Sequence, residues 1–278
     1  MTQQERLNRV LELVAAHGSL SIAEVTEALG VSPATARRDL NQLAEQQLVV
    51  RTHGGASVLS SGFELPLRYK VPRESEAKSA IAAAAERLVQ PGMAIALNGG
   101  TTTSEVARAL GRSQRLFSAT GEPTVTLISN ALNIAYELTL RQQFRLVVTG
   151  GVVRPKSYEL VSTLVQQTLT EFSVDLAVLG VDGISVGSGA TTLTPEEALV
   201  GRWFAEAARR VVIVADSTKL GRATFARLFA IDRVDVLLTD SRADPRLVQE
   251  LTDAGVDVRL ADTDDRSGRA DVRAGAEA

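Results

Sequence analysis

Polar and glycine residues follow several apolar runs in the second part of the chain, where they could bind a small anion. In chain order they are Asn98, Gly99, Gly100, Thr101, Thr102, Asn130, Gly150, Gly151, Asp182, Gly183 and Lys219. Glycines let a ligand approach the backbone, and hydroxyl groups and helix N-terminal N–H groups can surround a phosphate. With one lysine, an aspartate and asparagine nearby, such a site suits a small phosphorylated polyol or sugar.

The elements that must position these residues are short apolar strands alternating with helices. The pattern predicts strands at Met93–Leu97, Val125–Ser129, Arg145–Thr149, Asp175–Gly180, Val211–Ala215, Asp235–Leu238 and Asp257–Leu260. It predicts helices at Glu76–Val89, Thr103–Leu110, Ala131–Leu140, Pro195–Arg210 and Pro245–Ala254. This alternation is typical of an open, mostly parallel α/β sheet, in which ligands bind beyond the carboxyl ends of the strands. The polar strand ends should therefore converge.

Each strand end taken alone has a simpler explanation. A Gly-Gly or Asp-Gly pair after a strand usually only makes a turn. No Gly-Lys-Ser/Thr sequence follows the first loop and no GxGxxG sequence follows the first strand. Because those are the common nucleotide-binding patterns, a nucleotide is not the expected ligand.

A second group of polar residues lies within residues 1–58 and could bind DNA. Its members are Ser32, Thr35, Arg37, Arg38, Asn41, Arg51 and His53. On a helix, Thr35, Arg38 and Asn41 lie opposite the apolar stripe and are candidate base contacts in a major groove. Arg37, Arg51 and His53 are candidate phosphate contacts.

Three helices and a β-hairpin would position this second group. Apolar spacing predicts a first helix from Gln3 to Ala16, a capping box begins a second at Ser21, and Ser32-Pro33 begins a third. The stripe of the third helix that faces the core consists of Ala36, Leu40 and Leu43. β-prone stretches at 48–53 and 56–59 flank Gly54-Gly55. The pattern predicts a winged helix-turn-helix, with the helix-turn-helix at about residues 20–39.

A solvated surface is the alternative explanation of these charges. Residues 1–60 carry five basic and six acidic side chains, and helix-turn-helix spacing also occurs in unrelated bundles. His17 and His53 are better explained as a helix-end residue and a wing residue than as metal ligands, because the chain has no cysteine. No metal, no cofactor and no catalytic residue is expected.

Composition excludes several classes of protein. The chain has 278 residues, 45% of them hydrophobic, and a formal net charge of −3. It is too apolar for a disordered chain, and its uninterrupted apolar runs, such as Val211–Ala215, are too short to span a membrane. The polar N-terminus lacks the apolar region of a secretory signal, so a cytoplasmic protein without a membrane partner is expected. The mild negative charge argues against a DNA-architectural protein.

The sequence resembles the DeoR family of bacterial transcriptional regulators. In the first part the resemblance rests on Val31-Ser32, Thr35-x-Arg37-Arg38-Asp39-Leu40 and Arg51-x-His53-Gly54-Gly55-Ala56. In the second part it rests on Lys78, Gly100-Thr101-Thr102, Ser129-Asn130, Gly150-Gly151, Gly180-x-Asp182-Gly183-Ile184, Glu196-Glu197 and Asp216-Ser217-x-Lys219. It implies a winged helix-turn-helix joined to a sugar-phosphate sensor domain, which is similar in fold to ribose-5-phosphate isomerase and glucosamine-6-phosphate deaminase.

Departures from the family pattern occur at three places. Ala36 stands where the family usually has isoleucine, and Asn98 where it usually has aspartate. Gly201 stands where a basic residue is common, with Trp203 nearby. The loss of a negative charge at Asn98 should ease anion binding. Gly201 and Trp203 prevent a detailed transfer of effector identity.

These observations predict a DNA-binding domain at 1–58, a linker at 59–74, an effector-binding domain at 75–261 and a disordered tail at 262–278. The function they favour is a repressor of carbohydrate-metabolism genes, bound to double-stranded operator DNA as a homodimer or homotetramer and released by a phosphorylated sugar. The alternative is a sugar-phosphate isomerase or deaminase with an added DNA-binding module. Its general base would be Asp182, Glu196 or Glu197, and Lys219 would assist as an electrophile.

Overall fold

The computed structural model describes residues 1–46, 48–58 and 75–262. The chain divides into two compact units, Met1–Arg73 and Glu74–Ala278. The predicted linker at 59–74 and all but the first residue of the predicted tail lie outside the described residues. No helix among the described residues is long and apolar enough to cross a membrane.

The first unit is a three-helix winged fold. Its elements are α1 (Gln3–His17), β1 (Ser19–Ser21), α2 (Ile22–Leu29), α3 (Pro33–Glu45), β2 (Val50–Thr52) and β3 (Gly55–Ser57). Capping boxes at Thr2 and Ser21 begin α1 and α2, and the Ser32 side chain caps α3, which has a proline in its first turn. The expected stripe of α3 is fully buried against Leu7, Val10, Leu11 and Val14 of α1.

The wing has one strand more than the sequence predicted. Strand β3 pairs antiparallel with β2, as expected, and also with β1, so that Leu20 lies opposite Ala56 and Ser21 opposite Gly55. A Cβ atom added at Gly55 would overlap the carbonyl oxygen of Leu20, whereas one added at Gly54 would meet no atom within 4 Å. Gly55 is therefore required by the close approach of β1.

The second unit contains the remaining elements. They are α4 (Ser75–Glu86), β4 (Ala94–Leu97), α5 (Thr101–Arg112), β5 (Val125–Ser129), α6 (Leu132–Leu138), β6 (Phe144–Val148), β7 (Val152–Arg154), β8 (Glu159–Val161), α7 (Thr163–Thr170), β9 (Val174–Gly180), β10 (Gly183–Ser185), β11 (Gly189–Thr192), α8 (Pro195–Ala207), β12 (Ala208–Val214), β13 (Ala226–Phe229), β14 (Val236–Asp240), α9 (Pro245–Asp253) and β15 (Asp257–Ala261). Short 3-10 helices span Gln114–Leu116, Ser217–Lys219 and Ile231–Arg233.

A seven-stranded sheet in the order β15-β14-β12-β9-β4-β5-β6 forms the centre of this unit. All six pairings between its neighbouring strands are parallel. Alternate strand residues pack on opposite faces, for example Ile95 towards α4, α5 and α6, and Ala96 towards α7, α8 and α9. The predicted fold class, a winged helix-turn-helix followed by an open, mostly parallel α/β sheet, is confirmed.

Each of the seven predicted strands and five predicted helices of this unit is present with small shifts in its ends. The prediction missed helix α7, the β7–β8 hairpin and the small antiparallel sheet β10-β11-β13. These are short elements, and α7, with eight residues, has no charged residue in its sequence to mark its ends. The missed hairpin bears directly on the candidate site.

The two adjacent glycines of the wing provide a matched test. Replacing Gly55 with alanine should destabilise the wing by about 1–3 kcal/mol, because the added methyl group overlaps the backbone of β1. Gly54→Ala should change its stability by less than about 0.5 kcal/mol. Hydrogen exchange of the β1 and β3 amides in the full chain measures both effects. Equal protection in the two variants would contradict the proposed packing of β1 against Gly55.

Candidate functional site: a DNA-binding face and a polar network at the sheet edge

The outer face of α3 presents the predicted DNA-binding side chains to solvent. Arg37, Arg38 and Asn41 are exposed, and the described residues offer them no hydrogen bond or ion pair. Ser32 has a structural role as well, because its Oγ accepts the N–H of Thr35 at 3.2 Å and lies 2.9 Å from the Thr35 hydroxyl. This face is therefore small at its N-terminal end and cationic further along.

An ion pair that sequence reasoning missed fixes α3 against α1. Asp39, which is 1% exposed, accepts hydrogen bonds from both Nε and Nη2 of Arg6, the second at 2.9 Å. The pair is bidentate, a geometry that restricts orientation as well as adding energy. Asp39 follows Arg37 and Arg38 directly, so anchoring it sets the angle at which both arginines leave the surface.

The wing residues differ in how free they are. His53 is exposed in the turn between β2 and β3, whereas Arg51 is half-buried and donates through Nη1 to the carbonyl oxygen of Gly55. Arg51 thus stabilises the wing itself. The other N–H groups of its guanidinium could bind a DNA phosphate.

In the second unit, the predicted strand ends are connected by a carboxyl group that was not predicted. Glu159, at the start of β8, is 5% exposed. Its Oε1 accepts the N–H of Gly99 at 2.9 Å and Nδ2 of Asn130 at 3.3 Å. One side chain therefore joins the loop after β4, the loop after β5 and the β7–β8 hairpin.

The network continues through α8 to the last of the predicted residues. Glu197 lies within hydrogen-bonding reach of Glu159 and accepts from Nη1 of Arg154 at 2.6 Å. The Thr192 hydroxyl lies 3.2 Å from Glu197 Oε2 and 3.0 Å from Asp182 Oδ2, and can donate to either. Asp182 Oδ1 in turn is 3.5 Å from Nζ of Lys219. The carboxyl ends of β4, β5, β9 and the β12 loop are thereby connected.

The electrostatics of this network are dominated by its two central carboxyl groups. Burial and then the like charge of Glu197 raise the pKa of Glu159 from its ordinary value of 4.5 to about 8. The hydrogen bonds from Gly99 and Asn130 act in the opposite direction but are the smaller influence. Glu159 is consequently protonated at neutral pH.

Some predicted effector residues serve the fold. The Asn98 side chain donates to the carbonyl oxygen of Gly180 at 3.0 Å and accepts the Gly180 N–H at 2.8 Å, which ties β4 to β9. An aspartate could accept but could not donate here. A Cβ atom at Gly183 would come within 2.6 Å of the Arg222 carbonyl oxygen, so that glycine is required by packing.

Other predicted residues remain available to a ligand. Gly100 is the N-cap of α5 with φ 143°, and no side chain caps that helix. The first N–H groups of α5 therefore lie at an uncapped helix N-terminus, where Thr101 is half-buried and Thr102 is 7% exposed. Gly150 and Gly151 have φ values of 71° and 131° and lead into β7, but no contact joins them to the network among the described residues.

Two further features of the second unit bear on ligand binding. A cavity of about 420 Å³ lies between α4 and α5, lined by Ser79, Ala82, Glu86, Glu105 and Arg112 among others, and shares no residue with the network. The described residues contain no cluster of three or more histidine or acidic side chains that could hold a metal ion.

Two family models match the chain. The model described as "DeoR-like helix-turn-helix domain" matches residues 6–62, and that described as "DeoR C terminal sensor domain" matches residues 73–241. The chain belongs to the DeoR family. The resemblance inferred from the signature residues is thus confirmed, and the two matched segments correspond to the winged unit and to most of the α/β unit.

Curated DeoR relatives match over nearly the whole chain. The glycerol-3-phosphate regulon repressor of Escherichia coli K12 is 32% identical over 260 residues, which cover 94% of this chain and 100% of the relative. The transcriptional regulator GlpR of Haloferax volcanii is 34% identical, covering 93% and 98%. The transcriptional repressor AccR of Agrobacterium fabrum is 33% identical, covering 86% and 90%.

Solved structures are more distant. Ribose 5-phosphate isomerase A of Methanocaldococcus jannaschii is 23% identical with a TM-score of 0.36, covering 51% of this chain and 52% of its own. The sorbitol operon regulator SorC of Klebsiella pneumoniae is 14% identical with a TM-score of 0.31, covering 79% and 90%. Likenesses this low support no inference about this chain.

The raised pKa of Glu159 predicts how stability depends on pH. Between about pH 4.5 and pH 8 the folded state binds a proton at Glu159 that the unfolded state has lost, so the free energy of unfolding should fall as pH rises through this window. Glu159→Gln removes the titration and should flatten that part of the profile. Denaturant unfolding of the second unit across the pH series measures this, with Glu196→Gln, an exposed neighbour, as control. A variant profile that follows the wild type would show that Glu159 is not the titrating group.

Proposed function

We propose that this chain is a non-enzymatic repressor of carbohydrate-metabolism genes that a phosphorylated sugar or polyol releases from double-stranded operator DNA. The observation that carries the proposal is the pairing, in one chain, of an exposed cationic helix face with an uncapped helix N-terminus beside a buried polar network. The DeoR relatives named above support it, since one is named for a glycerol-3-phosphate regulon.

The DNA-binding half of the proposal assigns separate roles along α3. Thr35, Arg38 and Asn41 would read base edges in the major groove, while Arg37, Arg51, His53 and the Ser32 end of the helix would contact phosphates. One winged unit reads one half-site, so we infer a homodimer or homotetramer on an operator with matching symmetry.

The effector half assigns the acidic group of the ligand to the N-terminus of α5. Its N–H groups and the Thr101 and Thr102 hydroxyls would bind phosphate oxygens, as helix N-termini do generally. Asn130, Asp182 and Lys219 would contact the polyol, with Asn98, Gly99, Gly100, Gly150, Gly151 and Gly183 shaping the loops around it. The effector releases DNA only if it binds the DNA-incompetent state more tightly, by a coupling of about 1–3 kcal/mol in typical cases.

One observation favours a second function. The Asp182–Lys219 pair and the protonated Glu159 supply a base, a cation and an acid near the same strand ends, which is what an isomerase or deaminase of sugar phosphates would need. Conversion of a sugar phosphate by the purified chain, lost in Asp182→Asn, would establish this alternative in place of the sensor.

Salt titrations distinguish the two kinds of DNA contact. With an operator selected from random duplexes, Arg38→Ala should weaken binding by about 1–3 kcal/mol and relax the preference for operator over scrambled DNA. Arg37→Ala should weaken binding to both DNAs and lower the slope of log K against log salt by about 1. Arg9→Ala, an exposed arginine of α1, is the control. Fluorescence anisotropy measures all three, and wild-type operator affinity in Arg38→Ala would overturn the base-contact assignment.

Thermal-shift measurements test the effector site. Among glycerol 3-phosphate, glucose 6-phosphate, fructose 6-phosphate and their unphosphorylated parents, only phosphorylated compounds should raise the melting temperature. Thr101→Val and Lys219→Ala should each lose the shift, because the first removes a hydroxyl at the helix N-terminus and the second a positive charge. Thr170→Val, whose hydroxyl bonds within its own helix, should retain it. A shift that survives both site substitutions would place the ligand elsewhere.

A further inference from the structure

The carboxyl group of Glu159 accepts a hydrogen bond from a backbone amide that lies immediately before the expected anion site. The Gly99 N–H that it accepts at 2.9 Å precedes Gly100, the N-cap of α5. Asn130 Nδ2, its other donor at 3.3 Å, belongs to the next strand end. Backbone amides at the start of a helix are general ligands for anions. An oxygen of Glu159 therefore stands where an oxygen of a bound phosphate would be expected.

The chain leaves room for this carboxyl group at Gly99. A Cβ atom at that position would overlap Cγ of Glu159, yet the φ of Gly99 is not in the left-handed region. Conformational freedom thus does not explain the glycine, whereas the close approach of Glu159 does. Although the two residues are 60 positions apart, they pack closely and are joined by a hydrogen bond.

Three features weaken the attachment of Glu159 to Gly99 and Asn130. Because the raised pKa leaves Glu159 neutral, the hydrogen bonds that it accepts from Gly99 and Asn130 lack the strength that an anionic acceptor gives, while its own proton can be donated to Glu197. Tyr158, the preceding residue, has φ 60°, which is unfavourable for a residue other than glycine. Asn130 is 1% exposed, and its Oδ1 has no hydrogen-bond partner in the part of the chain that the structure describes.

We propose that Glu159 is a built-in substitute for the acidic group of the effector, and that a bound phosphate displaces it from Gly99 and Asn130. The inference deepens the proposed function and depends on it. A phosphate dianion is a stronger acceptor than a neutral carboxyl group, so the exchange favours the ligand. A ligand hydroxyl next to the phosphate would supply the donor that Asn130 Oδ1 lacks, which selects phosphorylated polyols over inorganic phosphate.

Displacement would also loosen the β7–β8 hairpin on the side of the loop after β4. Glu159 is the first residue of β8, and β7 ends at Arg154, which holds Glu197. When Glu159 leaves Gly99, the hairpin loses its side-chain bond to the loop after β4. Its backbone bonds to the loop after β5 remain, from Leu160 N–H to the Asn130 carbonyl oxygen at 2.7 Å and from Leu132 N–H to the Tyr158 carbonyl oxygen at 2.9 Å. Ligand binding would thereby loosen the hairpin without detaching it.

Calorimetric titration of the full chain with inorganic phosphate and with glycerol 3-phosphate tests the exchange. Glu159→Ala removes the occupant and should bind both probes at least about tenfold more tightly than the wild type. Glu159→Gln retains a neutral side chain that can accept from Gly99, and should stay within about threefold of the wild type. Glu206→Gln, which changes an exposed carboxyl group on α8, is the matched control and should show no change. Equal or weaker binding by Glu159→Ala would overturn the inference.

A second measurement needs no substitution at Glu159. Hydrogen exchange of the wild-type β7–β8 hairpin should become faster when glycerol 3-phosphate binds, whereas a ligand that merely adds contacts would slow it. Slower or unchanged exchange in the hairpin would contradict displacement even if Glu159→Ala failed to fold. Thr101-dependent binding without the predicted gain in Glu159→Ala would reject the inference and leave the proposed function intact. Binding of neither probe to any variant would reject the inference, and the absence of a thermal shift with every phosphorylated compound would reject the proposed function as well.

Discussion

The hydrogen bond from Gly99 N–H to Glu159 is the contact on which the arrangement of the candidate effector site depends. It joins the loop that begins α5 to a hairpin 60 residues later, and through Asn130 it includes the next strand end. A buried carboxyl group beside another is costly unless a proton neutralises it. The structure satisfies that constraint with the raised pKa of Glu159 and the pairing of Glu197 with Arg154. The resulting region is polar and closely connected by side-chain hydrogen bonds.

In the winged unit, the helix that carries the candidate DNA contacts is held rigidly. Ser32 caps α3, a fully buried stripe packs it against α1, and Asp39 locks it to Arg6 through two hydrogen bonds. These contacts restrict α3 on its inner side while Arg37, Arg38 and Asn41 remain exposed on the outer side. Rigid presentation suits a DNA reader, because base-edge hydrogen bonds require a fixed helix orientation. Under the proposed function, the two units combine a rigid DNA-binding helix with a ligand-responsive region.

How far the sequence predicts this arrangement depends on the range of the interactions. Helix α3 was predictable in its start, its core stripe and its outer face, because capping and periodicity are local signals. The parallel sheet followed from alternating strands and helices, and the convergence of Asp182 with Lys219 followed from the sheet. Asn98 was assigned to the ligand, but its amide binds Gly180, 82 residues away. Glu159, Thr192 and the Arg6–Asp39 pair were missed because long-range polar contacts leave no periodic trace in a sequence.

The central proposal is that an anion bound in the α/β unit weakens the binding of the winged unit to DNA. Operator affinity measured with and without a saturating sugar phosphate, in the wild type and in Thr101→Val, tests this most directly. We expect the phosphate to weaken operator binding of the wild type at least about fivefold, and operator DNA to weaken phosphate binding by the same factor. Thr101→Val should show neither effect. Operator affinity that no sugar phosphate changes, although the compound binds the chain, would contradict it.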